Sequence, residues 1–118
     1  MSFLYVACGG ALGACLRYAI ALLVGSGSLP WATLVTNISG SFAIGVVWGL
    51  CAEQEWFNAW GRLFLVVGLL GGFTTFSAFS LEAIKFLEDG RLLPLVTYLV
   101  STITGCLLAV WLGLRMSQ

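Results

Sequence analysis

No histidine occurs anywhere in the 118 residues, and charge is scarce: five Lys or Arg against five Asp or Glu, summing to zero. Without histidine there is no imidazole to act as general base or metal ligand. Zinc sites go with it, since Cys8, Cys15, Cys51 and Cys106 form no CxxC pair. These thiols read as small apolar residues. The scarcity of charge removes the basic footprint that nucleic acid requires, so no nucleic-acid partner is expected. It also removes the surface of a water-soluble domain. With 60% of residues hydrophobic and 8% charged, a chain of this size cannot hide its apolar area in its own core. No basic stretch precedes the first apolar segment, so a cleavable secretion signal is not expected. What is left is one domain of integral membrane protein.

Four apolar segments, at about 3–24, 31–51, 62–86 and 94–114, each reach the ~20 residues a helical crossing takes. The fold class is therefore an all-α integral membrane bundle. In the first segment Gly9, Gly13 and Arg17 follow at four-residue spacing, which places them on one helix face. The two glycines admit a close neighbour helix. Arg17 either snorkels to the interface or faces protein or water. Residues 25–30 form an uncharged turn. The second segment carries a stripe of Asn37, Ser41, Gly45 and Gly49. On such a small-residue face Asn37 either hydrogen-bonds another helix or lines a pore. Residues 52–61 read as a polar loop with Glu53, Glu55 and the interfacial aromatics Trp56 and Trp60. The third segment ends in Glu82, Lys85, Glu88 and Asp89, with Gly90 placed to cap it. The fourth carries Tyr98, Thr102 and Cys106 on one stripe and closes at Arg115.

One stretch is unlike an ordinary membrane helix: Gly71-Gly72-Phe73-Thr74-Thr75-Phe76-Ser77-Ala78-Phe79-Ser80. The paired glycines weaken a helix. The hydroxyl residues after them can bond backbone groups that a broken helix leaves unpaired. A break at membrane depth is tolerated only where protein or a wet cavity covers it. Phe73, Phe76 and Phe79 recur every third position, on roughly one face. They are core or lipid-facing bulk, or they turn positive ring edges toward an anion path without fixed charge. The third helix is thus expected to break mid-membrane, and this stretch to be the functional centre.

Orientation is the other unusual feature. Arg62 and Arg115 flank the spans on one side, Lys85 and Arg91 on the other. The rule that keeps basic loops in the cytoplasm then has little to act on. Copies inserted both ways would form an antiparallel homodimer, the symmetry larger transporters build from inverted repeats. No catalytic set, phosphate loop or dinucleotide fingerprint is present, so an enzyme is not expected. Transport is. The polar groups at depth are Asn37, Ser41, Thr74, Thr75, Ser77, Tyr98 and Thr102, neutral donors that suit an anion held weakly enough to leave.

The chain resembles the CrcB/Fluc family of small fluoride channels over essentially its whole length. The resemblance rests on three motifs in order: 9–18 (GGALGACLRY), 36–42 (TNISGSF) and 71–80 (GGFTTFSAFS). It implies an antiparallel, dual-topology homodimer of four-helix subunits in the cell membrane lipid bilayer. It implies two fluoride pores per dimer, which let fluoride leave the cytoplasm. Phe76 and Phe79 match the pore phenylalanines, and Asn37 the pore asparagine. Tyr98 and Thr102, with the hydroxyls Thr75 and Ser77, fall along the path. Cys106 stands where the family often has a further hydroxyl. Arg17 matches the vestibule arginine, and no role is carried to Phe73. The resemblance also implies a structural sodium ion (Na+) on the two-fold axis, held by the backbone carbonyls of Gly71 and Thr74 from each chain. A small multidrug transporter, another antiparallel four-helix dimer, would need a glutamate in its first helix, and none is there. A helper subunit of a membrane complex would leave the polar track without a purpose.

Overall fold

The computed structural model describes Met1–Gln118. It is helical throughout: α1 (Ser2–Val24), α2 (Trp31–Cys51), a third span in pieces, and α5 (Leu92–Ser117). The third span starts with two π-helical stretches, Phe57–Gly61 and Leu63–Leu70. It tightens into one turn, α3 (Gly71–Phe73), is interrupted at Thr74 and Thr75, and resumes as α4 (Phe76–Glu88). Taken as one span of 32 residues, it is one of four helices long and apolar enough to cross a membrane.

Two expected boundaries move. The polar loop over 52–61 is shorter, because helix is already established at Phe57. Phe57 is fully buried, with the rings of Trp48 and Trp56 edge-on to it at 5.9 Å. That burial, worth about 1.5–3 kcal/mol for a large apolar side chain, draws the chain into helix early. Asn58 Nδ2 ties the shortened turn by donating to the carbonyls of Ala52 and Gln54 at 3.1 and 3.2 Å. The fourth span begins at Leu92, before Pro94, and runs past Arg115 to Ser117. Proline is harmless there because amides of the first turn have no helical acceptor. Gly90 caps α4 as expected: its φ is +69°, and the Arg91 amide donates to the Phe86 carbonyl at 2.9 Å.

Packing is by pairs. α1 lies against the first half of the third span, and α2 against α5. Gly9 and Gly13 are buried in the first contact, where a Cβ on either would run into the backbone oxygens of Phe64 and Leu69. The expected close approach of a neighbour is what these glycines provide. α4 joins the bundle through Phe79, Phe86 and Tyr98. Just 17 of 118 residues are buried, while large apolar side chains such as Leu23, Leu93 and Leu107 point outward. Such an exterior is a lipid-facing surface, and the chain is a multi-pass membrane protein.

Gly13 and Gly10 should therefore respond oppositely to added bulk. Gly13→Ala drives a methyl into backbone and should cost about 1–3 kcal/mol by overpacking. A Cβ at Gly10 would meet nothing nearer than the Gly68 carbonyl at 4.0 Å, so Gly10→Ala should be neutral or slightly stabilising. Thermal unfolding in detergent measures both; equal losses would show that this helix contact is looser than described.

Candidate functional site

The interruption of the third span is local and specific. Thr74 has φ −84° and ψ 156°, and Thr75 has φ −150° and ψ 116°, both extended. Within 71–80 the chain leaves the helix at the threonines, just after the glycine pair. Gly71 and Gly72 are still helical. Gly72 is there for proximity: a Cβ would sit 2.7 Å from the Gly10 carbonyl oxygen.

Side chains take over the backbone bonds at the threonines. In a continuous helix the Thr75 amide would donate to the Gly71 carbonyl; instead it donates to Asn37 Oδ1 at 2.8 Å. Asn37 Nδ2 in turn donates to the Thr75 carbonyl at 3.0 Å. The Ala78 amide, the helical partner of the Thr74 carbonyl, donates to Thr75 Oγ1 at 3.2 Å and so caps α4. The carbonyls of Gly71, Gly72, Phe73 and Thr74 all lose their helical donors, the amides of residues 75–78. The Gly72 carbonyl accepts from Arg17 Nε at 3.2 Å. Arg17 thus meets the third span at the break.

Asn37, Ser41, Gly71, Thr74, Thr75, Phe76, Phe79, Thr102 and Cys106 border one open groove of about 460 Å³, whose other walls are apolar. No charged side chain borders it. Thr102 is 6% exposed, and its hydroxyl has no hydrogen-bond partner. The two phenylalanines differ sharply: Phe76 is 78% exposed and Phe79 only 5%. Their ring centroids are 5.5 Å apart, and the Phe79 ring continues to Tyr98 at 5.1 Å. Phe73 does not share their face. The break resets the helical phase, and the Phe73 ring lies over Gly40 of α2. Ser77 is exposed, outside the groove, with its hydroxyl 3.3 Å from Thr75 Oγ1.

Tyr98 backs the groove without bordering it, and its hydroxyl reveals a residue that sequence reasoning missed. Tyr98 is 1% exposed and donates to Glu82 Oε1 at 3.0 Å. Thr33 Oγ1 donates to Glu82 Oε2 at 3.1 Å. In sequence Glu82 is one more charge at a polar helix end. The available signal was that a buried tyrosine needs a partner for its hydroxyl, but nothing in the spacing names Glu82. Beyond it, Glu82, Lys85, Asp89 and Arg91 border a second hollow of about 360 Å³ with the turn at 25–30.

The Asn37 clamp makes a direct prediction. Asn37→Ala strands the Thr75 amide and carbonyl, each worth about 1–3 kcal/mol when buried and unpaired. The expected result is a lower unfolding temperature in detergent and faster hydrogen exchange at the Thr75 amide. Unchanged exchange there would mean that the clamp does not hold the break.

A family model described as CrcB-like protein, Camphor Resistance (CrcB), matches residues 4–114. Among curated relatives, a protein of Opitutus terrae named fluoride-specific ion channel FluC is 45% identical over 94% of this chain and 88% of its own length. Proteins of the same name from Paramagnetospirillum magneticum and Rhizobium meliloti are each 41% identical, over 96% and 98% of this chain and 92% and 94% of their own. With this coverage, and with two of the three motifs bordering one groove at a helix break that the third reaches through Arg17, the chain belongs to the CrcB-like family.

Proposed function

We propose that this protein is a fluoride-selective passive channel that lets fluoride leave the cytoplasm. The observation that carries this reading is an uncharged groove at the helix break, bordered by Asn37, Thr75, Phe76 and Phe79, with the unpartnered Thr102 hydroxyl buried just behind its wall. Asn37 Nδ2 has a second proton beyond the one given to Thr75, and Thr75 offers a hydroxyl at the same wall. Phe76 and Phe79 can present positive ring edges. Such donors bind an anion without trapping it. Tyr98 with Glu82 and Thr33 leads from the groove toward the second hollow, and Ser77 extends the hydroxyl run past Thr75. Arg17, with one nitrogen on the break, leaves the rest of its guanidinium for the vestibule. The relatives' name supports fluoride as the ion, and an acid origin gives it a purpose. Hydrogen fluoride enters neutral, dissociates in a more alkaline cytoplasm, and fluoride then runs out through a passive path.

In this reading the working unit is an antiparallel homodimer with two pores, inserted both ways in the cell membrane. The balanced flanking charges support that topology, and the exposed ring of Phe76 beside an open groove supports a covering second copy. The break also suits a structural sodium ion. Hard cations take oxygen ligands, and the carbonyls of Gly71 and Thr74 are among the four that the break frees from helical donors. From both chains they would hold the ion, which would bind the two breaks together.

Two experiments test this. Phe76→Ile and Phe79→Ile keep bulk and apolarity but remove the ring edge. Volume-conserving swaps typically cost less than about 1.5 kcal/mol, so the dimer should still form while fluoride efflux from liposomes nearly stops. Normal efflux in both variants would return the rings to plain packing. Replacing sodium by a large organic cation should weaken the dimer or halt efflux; sodium-independent flux would remove the ion from the scheme.

A further inference from the structure

One end of the bundle carries a charged hollow, separate from the groove. There the turn at 25–30 joins α1 to α2, and Asp89 to Arg91 join α4 to α5. Glu82, Lys85 and Asp89 follow at three- and four-residue spacing along the end of α4, so they share one face. With Arg91 they border a hollow of about 360 Å³ against that turn, within the roughly 300–1,000 Å³ of small-molecule sites. Two cations and two carboxylates meet there, yet their hydrogen bonds go elsewhere. Glu82 accepts from Tyr98 and Thr33, and Arg91 Nη2 donates to the Ser28 carbonyl at 3.3 Å. The Arg91 guanidinium also lies 5.0 Å from the centroid of the Phe86 ring. These contacts hold Arg91 at the rim and leave it further N–H donors. Across the hollow, the amides of Ser26, Gly27 and Ser28 donate to no backbone carbonyl. Donors therefore face the hollow from both sides, and Arg and Lys pair strongly with phosphate. Asp89 is the carboxylate left without a donor, which suits a cation attached to that phosphate. The spans end at this level, beside the interfacial ring of Trp31. Leu87, Leu92 and Leu93 are exposed there, as lipid contacts are.

We propose that this hollow binds the headgroup of a phospholipid with a primary ammonium, of the phosphatidylethanolamine class. Lys85, Arg91 and the amides of the turn hold the phosphate, and Asp89 accepts from the ammonium. The acyl chains run along the exposed leucines. Meeting both charges is what selects this class. A purely anionic headgroup leaves Asp89 unmatched, and a choline headgroup has no N–H to give it. The inference needs a chain that spans a membrane; it does not rest on the groove being a fluoride path.

The test uses full-length protein in detergent, titrated with dioleoyl phosphatidylethanolamine and read by native mass spectrometry. Phosphatidylcholine and phosphatidylglycerol with the same acyl chains are titrated in parallel. The expected result is one phosphatidylethanolamine retained per chain, in clear preference to the other two. Lys85→Gln should weaken that retention about tenfold, the loss of one charged hydrogen bond. Asp89→Asn should remove the preference over phosphatidylglycerol. Arg62→Gln, at the other end of the spans, should change nothing. Lys85 and Asp89 are exposed, so both variants should keep the unfolding temperature of the unsubstituted protein when lipid is absent. Equal retention of the three lipids, or equal losses in the Lys85→Gln and Arg62→Gln proteins, would overturn the site. Displacement of the lipid by an equal concentration of inorganic phosphate or free phosphoethanolamine would assign the hollow to a soluble phosphate compound and overturn the lipid.

Discussion

The rest of the molecule depends on one pair of hydrogen bonds, those between the Asn37 side chain and the Thr75 backbone. A primary amide has the same donor and acceptor as a peptide group, so it can pair with an extended residue as a strand neighbour would. Inside an apolar bundle that substitution is what makes a broken helix tolerable, because an unpaired amide or carbonyl in lipid costs several kcal/mol. Once Thr75 is held extended, the other features follow. Its hydroxyl is placed to cap α4, and the carbonyls of Gly71 and Thr74 lose their donors. Phe76 and Phe79 start a new helical phase that no longer includes Phe73.

What was legible in the sequence is what depends on neighbours in the chain. Apolar length gives the four spans. Four-residue spacing gives the Gly9 and Gly13 contact, and a glycine after a polar helix end gives the Gly90 cap. The region of the break was legible too, from glycines and hydroxyls inside an apolar run. Its position was not. Within 71–80 the chain leaves the helix at 74 and 75 because the partner that permits it is on α2. The same limit hid Glu82, whose two donors are on α2 and α5, and the early helix at Phe57, set by the ring of Trp48. Each miss is a contact between segments distant in sequence, and helical period carries no information about such contacts.

Arg17 and Glu82 both lie outside the groove lining. Arg17 meets the Gly72 carbonyl, and Glu82 accepts from two hydroxyls. The groove wall is thus left with neutral dipoles and ring edges. An unscreened carboxylate near it would repel an anion, and an unpartnered arginine would hold one: at about 4 Å, opposite unit charges attract by about 4 kcal/mol even at an effective dielectric of 20. Keeping both charges off the groove wall flattens that profile, which is the condition conduction sets.

A flat profile also explains why an open groove is insufficient by itself. Neutral donors repay little of an anion's lost hydration, and a side left to hydrocarbon repays none. The idealised cost of moving a bare ion into such a medium is tens of kcal/mol. If fluoride passes here, the missing side must be supplied by groups that are themselves weakly polar and fixed. The outward ring of Phe76, 78% exposed in one chain while Phe79 is buried beside it, has that character. Facing a second copy, the same residue would be lining for the partner's groove as well as its own. The feature that makes a single subunit look incomplete is then what a symmetric pair requires.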